Sequence, residues 1–152
     1  MGTSRRDTAV EGVDEIVHPD RLADVVGDAD GIVVTLPGTS ATEGLVSAKV
    51  FGAVKPGVTM VSVGRGSVVD EVAMTAAIED GRVGFAALDV FASEPLASDS
   101  PLWTHPNVLV SPHTAALNPA EDRLIAELFA RNATRFLDGE ELINRVDTVE
   151  FY

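Results

Sequence analysis

Four short apolar runs of β-strand length, separated by segments with a helical pattern, constrain the fold more than any other feature. The runs cover residues 31–36 (GIVVTL), 58–63, 83–90 and 108–111. Continuous apolar runs, as opposed to alternating ones, are typical of parallel strands that are buried on both faces. Strands that alternate with helices predict βαβ units with right-handed crossovers. The sequence therefore predicts an α/β fold with a doubly wound parallel sheet.

The segments between the runs carry helix start and stop signals. Asp20, Ser47 and Asp70 each precede an apolar pattern of helical spacing and suit an N-cap. The predicted helices cover residues 20–26, 47–54, 70–80 and a long segment from 118 or 119 to about 137. Residues 1–6 and 13–17 are expected to form short strand segments.

Composition excludes several classes of function. The chain has 24 Asp and Glu against 11 Lys and Arg, a net charge of −13, which opposes binding to nucleic acid and to anionic membranes. Cysteine is absent, so disulfides and thiolate catalysis are excluded, and the three histidines lack metal-ligand spacing, so no metal site is predicted. No apolar run is long enough for a membrane span, and no secretory pattern opens the chain, so the expected compartment is the cytoplasm.

Three strand ends carry residues that suit acid–base chemistry on a small anion. Arg65, Glu94 and His113 follow the second, third and fourth runs. Because parallel strands end at one rim of a sheet, these side chains are expected to lie together. Each has a plainer explanation when taken alone: a solvated arginine in a tight turn, a surface carboxylate and a structural histidine. The glycines that flank Arg65 are expected to let the backbone turn sharply and approach a ligand.

The order of these segments is characteristic of a known family. SVGRGSVVDEVAMTAAIEDGRVGFAALDVFASEPL, then PLW, NVLVSPH and a helix, closely resembles the D-isomer-specific 2-hydroxyacid dehydrogenases, which include phosphoglycerate dehydrogenases and glyoxylate/hydroxypyruvate reductases. The resemblance runs from about Gly2 to the end of the long helix. It implies a Rossmann-like NAD(P)-binding domain and hydride transfer between NAD(P)H and a small 2-keto or 2-hydroxy acid.

The resemblance also implies roles for individual residues. Arg65 would grip the substrate carboxylate and polarise its keto group, His113 would act as general acid and reverse base, and Glu94 would pair with His113. Seven further residues would line the cofactor: Pro37, Thr42, Val63, Gly64, Asp89, Ala115 and Ala116. Among these, Asp89 would lie near the nicotinamide amide. The family usually has Asn and Ala where this chain has Ser62 and Gly64, a difference expected to affect loop rigidity more than the reaction type.

The choice between NAD and NADP rests on the first residues of the chain. Ser4, Arg5 and Arg6 align with the end of the family's second Rossmann strand, where an NAD-specific site has an acidic residue. Hydroxyl and basic groups there favour a 2′-phosphate, so the expected cofactor is NADP. The alternative, two arginines in a frayed terminus, stays open.

The dinucleotide fingerprint GxGxxG does not occur in the sequence, since Val69 stands where the third glycine after Gly64 and Gly66 would be required. The family's chains usually carry this fingerprint on a first strand that has no counterpart here. We therefore expect residues 1–152 to form an incomplete NAD(P)-binding domain, with a tail from about residue 140 that corresponds to the return to a substrate domain. In the order 3-2-1-4-5-6, the strand from Gly31 to Leu36 would then have an open apolar edge.

We expect this edge to be covered by a second copy in a homodimer or by a separately made N-terminal fragment. Alternatively, residues near the N-terminus enter the empty position. Two functions stay open: a dehydrogenase that is weak or inactive alone, and a non-catalytic binding or assembly module. The identity of the 2-keto acid is not predicted.

Overall fold

The computed structural model describes residues 1–5 and 9–146, which form two compact units divided between Ala115 and Ala116. The strands of the first unit are β1 (Gly2–Thr3), β2 (Ile16–Val17), β3 (Gly31–Val34), β4 (Val58–Ser62), β5 (Val83–Leu88) and β6 (Val108–Val110). Its helices are α1 (Leu22–Val25), α2 (Ala48–Ala53) and α3 (Glu71–Glu79). The second unit contains α4 (Glu121–Leu137).

All pairings between the described strands are parallel. A four-stranded sheet has the order β3-β4-β5-β6, and β1 and β2 form a separate two-stranded sheet. The parallel α/β architecture predicted from the apolar runs is therefore confirmed. The N-terminal residues do not enter the position beside β3, since β1 pairs with β2, so that alternative is wrong.

The central strands β4 and β5 supply much of the hydrophobic core. Val58, Met60, Ala86 and Leu88 are nearly inaccessible to solvent and belong to one cluster with apolar residues of α2 and α3. Complete burial of a valine, methionine or leucine side chain contributes about 1.5–3 kcal/mol. The outer strand β3 is less covered, and the side chain of Val33 is 66% exposed.

The helix signals are partly confirmed. The Asp70 carboxylate caps α3 by accepting a hydrogen bond from the Ala73 N–H at 3.0 Å. Ser47 occupies the N-cap position of α2, but its side chain makes no capping hydrogen bond. The cap predicted at Asp20 is wrong. The chain enters a 3-10 turn there, and His18 provides the cap, because its Nδ1 accepts from the Asp20 N–H at 3.4 Å.

The second unit consists mainly of α4, a 17-residue amphipathic helix with no buried residue. Arg123 pairs with Glu127 one turn later at 2.6 Å. The Asn132 side chain accepts from the Ile143 N–H at 2.8 Å, which fastens the following segment to the helix. Among the described helices, none has the length and apolarity that crossing a bilayer requires.

Candidate functional site

The ends of β4, β5 and β6 form the rim at which the predicted residues lie. Arg65 follows β4, Glu94 lies in the loop after β5, and His113 follows β6. His113 Nδ1 and Glu94 Oε2 are 2.8 Å apart, and the two side chains are 41% and 38% exposed. The structure therefore brings the imidazole and the carboxylate into direct contact while leaving both open to a small molecule.

Glu94 is positioned through both of its carboxylate oxygens. Oε2 accepts from His113, and Oε1 accepts from the Phe91 N–H at 3.1 Å. These two hydrogen bonds hold the pKa of Glu94 below its ordinary value, and the nearby charges of His113 and Arg65 lower it further.

Arg65 itself is exposed at the end of β4. Its Nη1 donates to the carbonyl oxygen of Gly64 at 2.8 Å, which bends the side chain back over its own strand. The backbone at Arg65 is extended, and a short 3-10 turn over Gly66–Val68 follows. Since the guanidinium has five N–H donors, this bond leaves others to receive an anion.

Asp89 is 4% exposed and organises the turn that carries His113. Its Oδ1 accepts from the Ser111 hydroxyl and from the Thr114 N–H, the latter at 2.8 Å, and Oδ2 accepts from the Ala115 N–H at 2.9 Å. Burial alone would raise the pKa of Asp89, but these hydrogen bonds outweigh it and the pKa is lowered. Both carboxylate oxygens of Asp89 thus accept hydrogen bonds from the segment around His113. The sequence did not predict this structural role.

The backbone of His113 is in the left-handed region, with φ of 55°. Such a conformation is uncommon for a residue other than glycine and persists when surrounding contacts over-determine it. The two N–H groups that follow His113 both bind Asp89, which supplies that constraint. In the sequence, only the run of small and hydroxyl-bearing residues in SPHTAA indicates a tight turn at His113.

Gly64 and Gly66 approach protein backbone, contrary to the expectation that they would approach a ligand. A Cβ on Gly64 would lie 2.5 Å from the carbonyl oxygen of Leu36, and one on Gly66 would lie 1.9 Å from that of Phe91. The first contact packs the end of β4 against the segment after β3. The second packs the Arg65 turn against the loop that carries Glu94, so Gly66 is a further site residue whose role sequence reasoning misread.

The segment after β3 contains the predicted cofactor residues Pro37 and Thr42. The Thr42 hydroxyl donates to the Pro37 carbonyl oxygen at 2.6 Å and accepts from the Thr39 N–H at 2.9 Å, which closes the loop on itself. A Cβ on Gly38 would lie 2.9 Å from the Ser67 hydroxyl. The loop therefore lies against the turn that begins at Arg65.

The remaining predicted cofactor residues are distributed between both units. Val63 donates its N–H to the Val34 carbonyl oxygen at 2.9 Å, and Ser4 donates to that of Val17 at 3.1 Å, so each is fixed at the end of a strand. Arg5 follows β1 and is exposed. Ala115 ends the first unit and Ala116 begins the second. The prediction for Arg6 lies outside the described residues.

A cavity of about 520 Å³ adjoins the Glu94–His113 pair. Its walls are mostly apolar and include Phe91, Leu96 and Trp103. The Trp103 indole N–H donates to the Ala97 carbonyl oxygen at 2.8 Å. Cavities with apolar walls and a few converging polar groups are the usual form of small-molecule sites.

Ser62 lies at the end of β4 and is 1% exposed. Its hydroxyl has no hydrogen-bond partner among the described residues. Ser62 and Gly64 are the two positions at which the family usually has the larger residues Asn and Ala. At Gly64, the carbonyl oxygen of Leu36 lies too close to leave space for the Cβ of an alanine.

Comparison with known proteins places these observations in a family. Residues 1–115 match "D-isomer specific 2-hydroxyacid dehydrogenase, NAD binding domain". Glyoxylate/hydroxypyruvate reductase A of Salmonella heidelberg strain SL476 is 32% identical over 150 residues, which cover 98% of this chain and 47% of that protein. The chain spans about half the length of the curated relatives it matches.

Two solved structures are similar over nearly the whole chain. The D-isomer specific 2-hydroxyacid dehydrogenase of Xanthobacter autotrophicus Py2, in complex with NADPH and MES, has a TM-score of 0.90 and 39% identity, covering 99% of this chain and 62% of that one. The NADPH-dependent glyoxylate/hydroxypyruvate reductase of Sinorhizobium meliloti, in complex with NADP and sulfate, has a TM-score of 0.89 and 33% identity, covering 99% and 48%.

Proposed function

Since the chain belongs to the D-isomer specific 2-hydroxyacid dehydrogenase family, we propose that it carries the proton-transfer and anion-binding groups of an NADP-dependent reductase of small 2-keto acids. The observation that carries this proposal is the 2.8 Å contact between His113 Nδ1 and Glu94 Oε2 at the rim. An imidazole held by a carboxylate at one nitrogen presents the other nitrogen to a substrate. The glyoxylate/hydroxypyruvate reductases among the relatives support a substrate of that size.

His113 is the proposed general acid. In the direction of reduction, its imidazolium gives the Nε2 proton to the carbonyl oxygen, whose C=O π electrons become the new O–H bond. The neutral imidazole keeps its proton on Nδ1, from which it donates a hydrogen bond to Glu94, and this bond fixes the tautomer. In the reverse direction the same nitrogen accepts the proton of the hydroxyl group.

Arg65 is the proposed substrate clamp. Its planar fork of donors matches a carboxylate better than an ammonium point charge does. Arg65 ends β4 at the same rim as His113, and the adjacent Gly66 packs on the loop that carries Glu94, which supports a position from which Arg65 reaches a substrate that also contacts His113.

The donor chemistry at the strand ends fits a phosphorylated dinucleotide at two places. Ser4 and Arg5 close β1 with a hydroxyl and a guanidinium, which suit a 2′-phosphate, and the loop with Pro37 and Thr42 would border the nicotinamide half together with Val63, Gly64, Asp89, Ala115 and Ala116. When bound, the nicotinamide supplies the hydride. NADPH and NADP in the two similar structures support the choice of NADP.

A non-catalytic role is the second candidate, because the described residues provide no glycine-rich cradle for the pyrophosphate. In that case the chain is a binding or assembly module. Under either function we propose that the free edge of β3 is covered in the working protein, by a second copy or by a separate N-terminal fragment. The proposed compartment is the cytoplasm.

The decisive experiment follows nicotinamide absorbance after the purified chain is mixed with NADPH and either glyoxylate or hydroxypyruvate. The reductase proposal expects oxidation of NADPH that falls about 10²–10⁴-fold in His113→Ala, the range for loss of a general acid. Arg65→Lys keeps the charge, loses the fork and is expected to raise KM. His18→Ala is the matched control, since His18 is distant in sequence and caps a turn.

Failure to bind NADPH even at millimolar concentration would favour the module. If the parent chain and His113→Ala oxidise NADPH at the same rate, the proton-transfer role of His113 is rejected and the proposal of reductase activity stands.

A further inference from the structure

The Glu94 loop, residues 91–94, carries the carboxylate that contacts His113, and a second glutamate holds this loop. The Ala92 N–H donates to Oε2 of Glu71 at 2.8 Å. Glu71 is the first residue of α3 and lies 21 residues before Ala92 in the chain. The contact therefore joins the start of a helix to the loop that presents the acid–base pair.

Two carboxylates accept from successive N–H groups of the Glu94 loop. Oε1 of Glu94 itself accepts from the Phe91 N–H at 3.1 Å, and Oε2 of Glu71 accepts from the next N–H, that of Ala92. Phe91 is buried, so the loop starts from a fixed residue. Among the described residues, none accepts from a later backbone N–H of the loop. Ala92 is therefore the last anchored residue before the carboxylate that binds His113.

A second contact acts on the same peptide group. A Cβ on Gly66 would lie 1.9 Å from the carbonyl oxygen of Phe91, 2.0 Å from its carbonyl carbon and 2.7 Å from the nitrogen of Ala92. The turn after Arg65 thus lies directly against this planar group. The turn fixes where the peptide group lies, and the hydrogen bond to Glu71 fixes how it is rotated.

The start of α3 holds Glu71 in turn. The Asp70 carboxylate caps the helix through the Ala73 N–H at 3.0 Å, and the Asp70 N–H donates to the Val46 carbonyl oxygen at 3.0 Å. The backbone beside Glu71 is therefore fixed to the helix on one side and to the core on the other. From this point, the length of a glutamate side chain brings its carboxylate to Ala92.

We propose that Glu71 is a positioning residue for the Glu94–His113 pair. Through its bond to Ala92, it fixes the direction in which the loop presents the Glu94 carboxylate to the imidazole. Glu71 lines a separate cavity, which it shares with Glu79, so it acts through the loop and not on the substrate. The inference rests on the proposed reductase function, since it assigns a support to the general acid of that reaction.

A plainer role would also account for an acidic residue at this position. A negative charge in the first turn of a helix interacts favourably with the helix dipole. That role requires charge and not length, so aspartate fulfils it and glutamine does not. Positioning requires length and an acceptor oxygen, so glutamine fulfils it and aspartate, one methylene shorter, does not. Glu71→Asp and Glu71→Gln therefore give opposite results under the two roles.

The first readout is the titration of the Glu94 carboxyl group, followed by carboxyl-carbon NMR. Its pKa is lowered chiefly by the hydrogen bond with His113 and then by that from the Phe91 N–H, while burial opposes them and the charges of His113 and Arg65 add to them. A loop without its anchor forms these bonds for less of the time. We expect the pKa of Glu94 to rise toward its ordinary value in Glu71→Asp and to stay at the parent value in Glu71→Gln.

The second readout is amide hydrogen exchange at Ala92 in the same samples. Glu71→Asp should accelerate it about fivefold, the factor that corresponds to the loss of one hydrogen bond, and Glu71→Gln should not. With NADPH and glyoxylate, kcat should fall by about the same factor in Glu71→Asp at unchanged KM for glyoxylate, since Arg65 is retained.

Glu79→Asp is the matched control. It shortens a glutamate of the same helix that lines the same cavity as Glu71, and it should leave the pKa of Glu94 and the exchange at Ala92 at their parent values. If Glu71→Asp does not fold, Glu71→Ala replaces it and is again compared with Glu71→Gln, because both remove the charge and only Gln keeps an acceptor.

Three results would overturn the proposal: a pKa of Glu94 that is the same in Glu71→Asp and in the parent chain, an equal rise in Glu71→Asp and Glu71→Gln, and an equal rise in Glu79→Asp. The second would assign Glu71 to the charge at the helix start. Both NMR readouts are made on the chain without cofactor or turnover. A chain that turns over no keto acid but shows the expected pKa changes would reject the reductase and keep the positioning role, and unchanged pKa values with turnover would do the reverse.

Discussion

The rim formed by the ends of β4, β5 and β6 and the outer edge of β3 differ in where their polar groups find partners. At the rim, Asp89 and Glu94 use all four carboxylate oxygens on groups of the same chain. At the edge of β3, the backbone groups of Gly31 and Val33 face away from β4, and no described strand meets them. The Glu94–His113 pair is thus held in place by groups of the chain itself, whereas the outer edge of β3 has no strand partner among the described residues.

The largest effect is expected from Gly66→Ala, which tests how tightly the rim is assembled. The new Cβ would lie 1.9 Å from the carbonyl oxygen of Phe91 and 2.7 Å from the nitrogen of Ala92, so backbone must move. We expect a loss of about 3 kcal/mol or more in the free energy of unfolding. Urea unfolding followed by far-ultraviolet circular dichroism measures it.

The matched control is Gly52→Ala in α2. Outside the adjacent residues and the backbone of α2, no atom lies within 4 Å of the added Cβ there, so the free energy of unfolding should rise by about 0.5–1 kcal/mol. Equal free energies of unfolding for the two variants would show that the backbone at the rim moves to accept the new Cβ. The rim would then not be more tightly assembled than the edge of β3.

An intermediate effect is expected from Asp89→Asn. The amide cannot accept at both of its terminal atoms, so the N–H of Thr114 or of Ala115 loses its partner, at a cost of about 0.5–1.5 kcal/mol at neutral pH. Because the pKa of Asp89 is lowered in the folded chain, its contribution is complete above about pH 4 and is lost as the pH falls through the folded pKa.

The stability difference between the parent chain and Asp89→Asn should therefore narrow below about pH 4, as urea unfolding across pH would record. Asp99→Asn makes the same change of charge at an exposed position of the same loop region and should have little effect. A difference that persists unchanged into acid would mean that the carboxylate charge is not what holds the His113 turn.

The smallest effect is expected from Val33→Thr at the edge of β3. Its side chain is 66% exposed, and threonine suits a strand as well as valine does, so the free energy of unfolding should change by less than about 0.5 kcal/mol. Val83→Ala, at a fully buried residue of β5, is the contrasting substitution and should cost about 1–3 kcal/mol. A large loss at Val33 would show that β3 is already covered.

Local patterns were sufficient to predict most elements of the fold. The apolar runs gave β3, β4, β5 and β6, and Asp70 gave the start of α3, because strand burial and helix capping act within a few residues. Ser47 occupies the predicted N-cap position, but its side chain makes no capping hydrogen bond. At the first turn, His18 and not Asp20 provides the cap, a choice between two nearby acceptors that the sequence pattern does not determine.

The details of the rim depend on contacts that no local pattern contains. Asp89 meets Ser111, Thr114 and Ala115 from 22 to 26 residues away. Gly66 meets Phe91 across the sheet end. The sequence therefore predicted which side chains gather at the rim, and the family resemblance suggested their roles, but the positions of the supporting groups required the coordinates.

The tether between the Trp103 indole and Ala97 has a practical consequence. Trp103 is the chain's single tryptophan, and its ring lines the cavity beside Glu94 and His113. Its emission therefore reports from one known place, without a label and without interference from a second indole. A small acid that enters the cavity changes the surroundings of this fluorophore even when no turnover occurs, so occupancy can be titrated by spectroscopy alone.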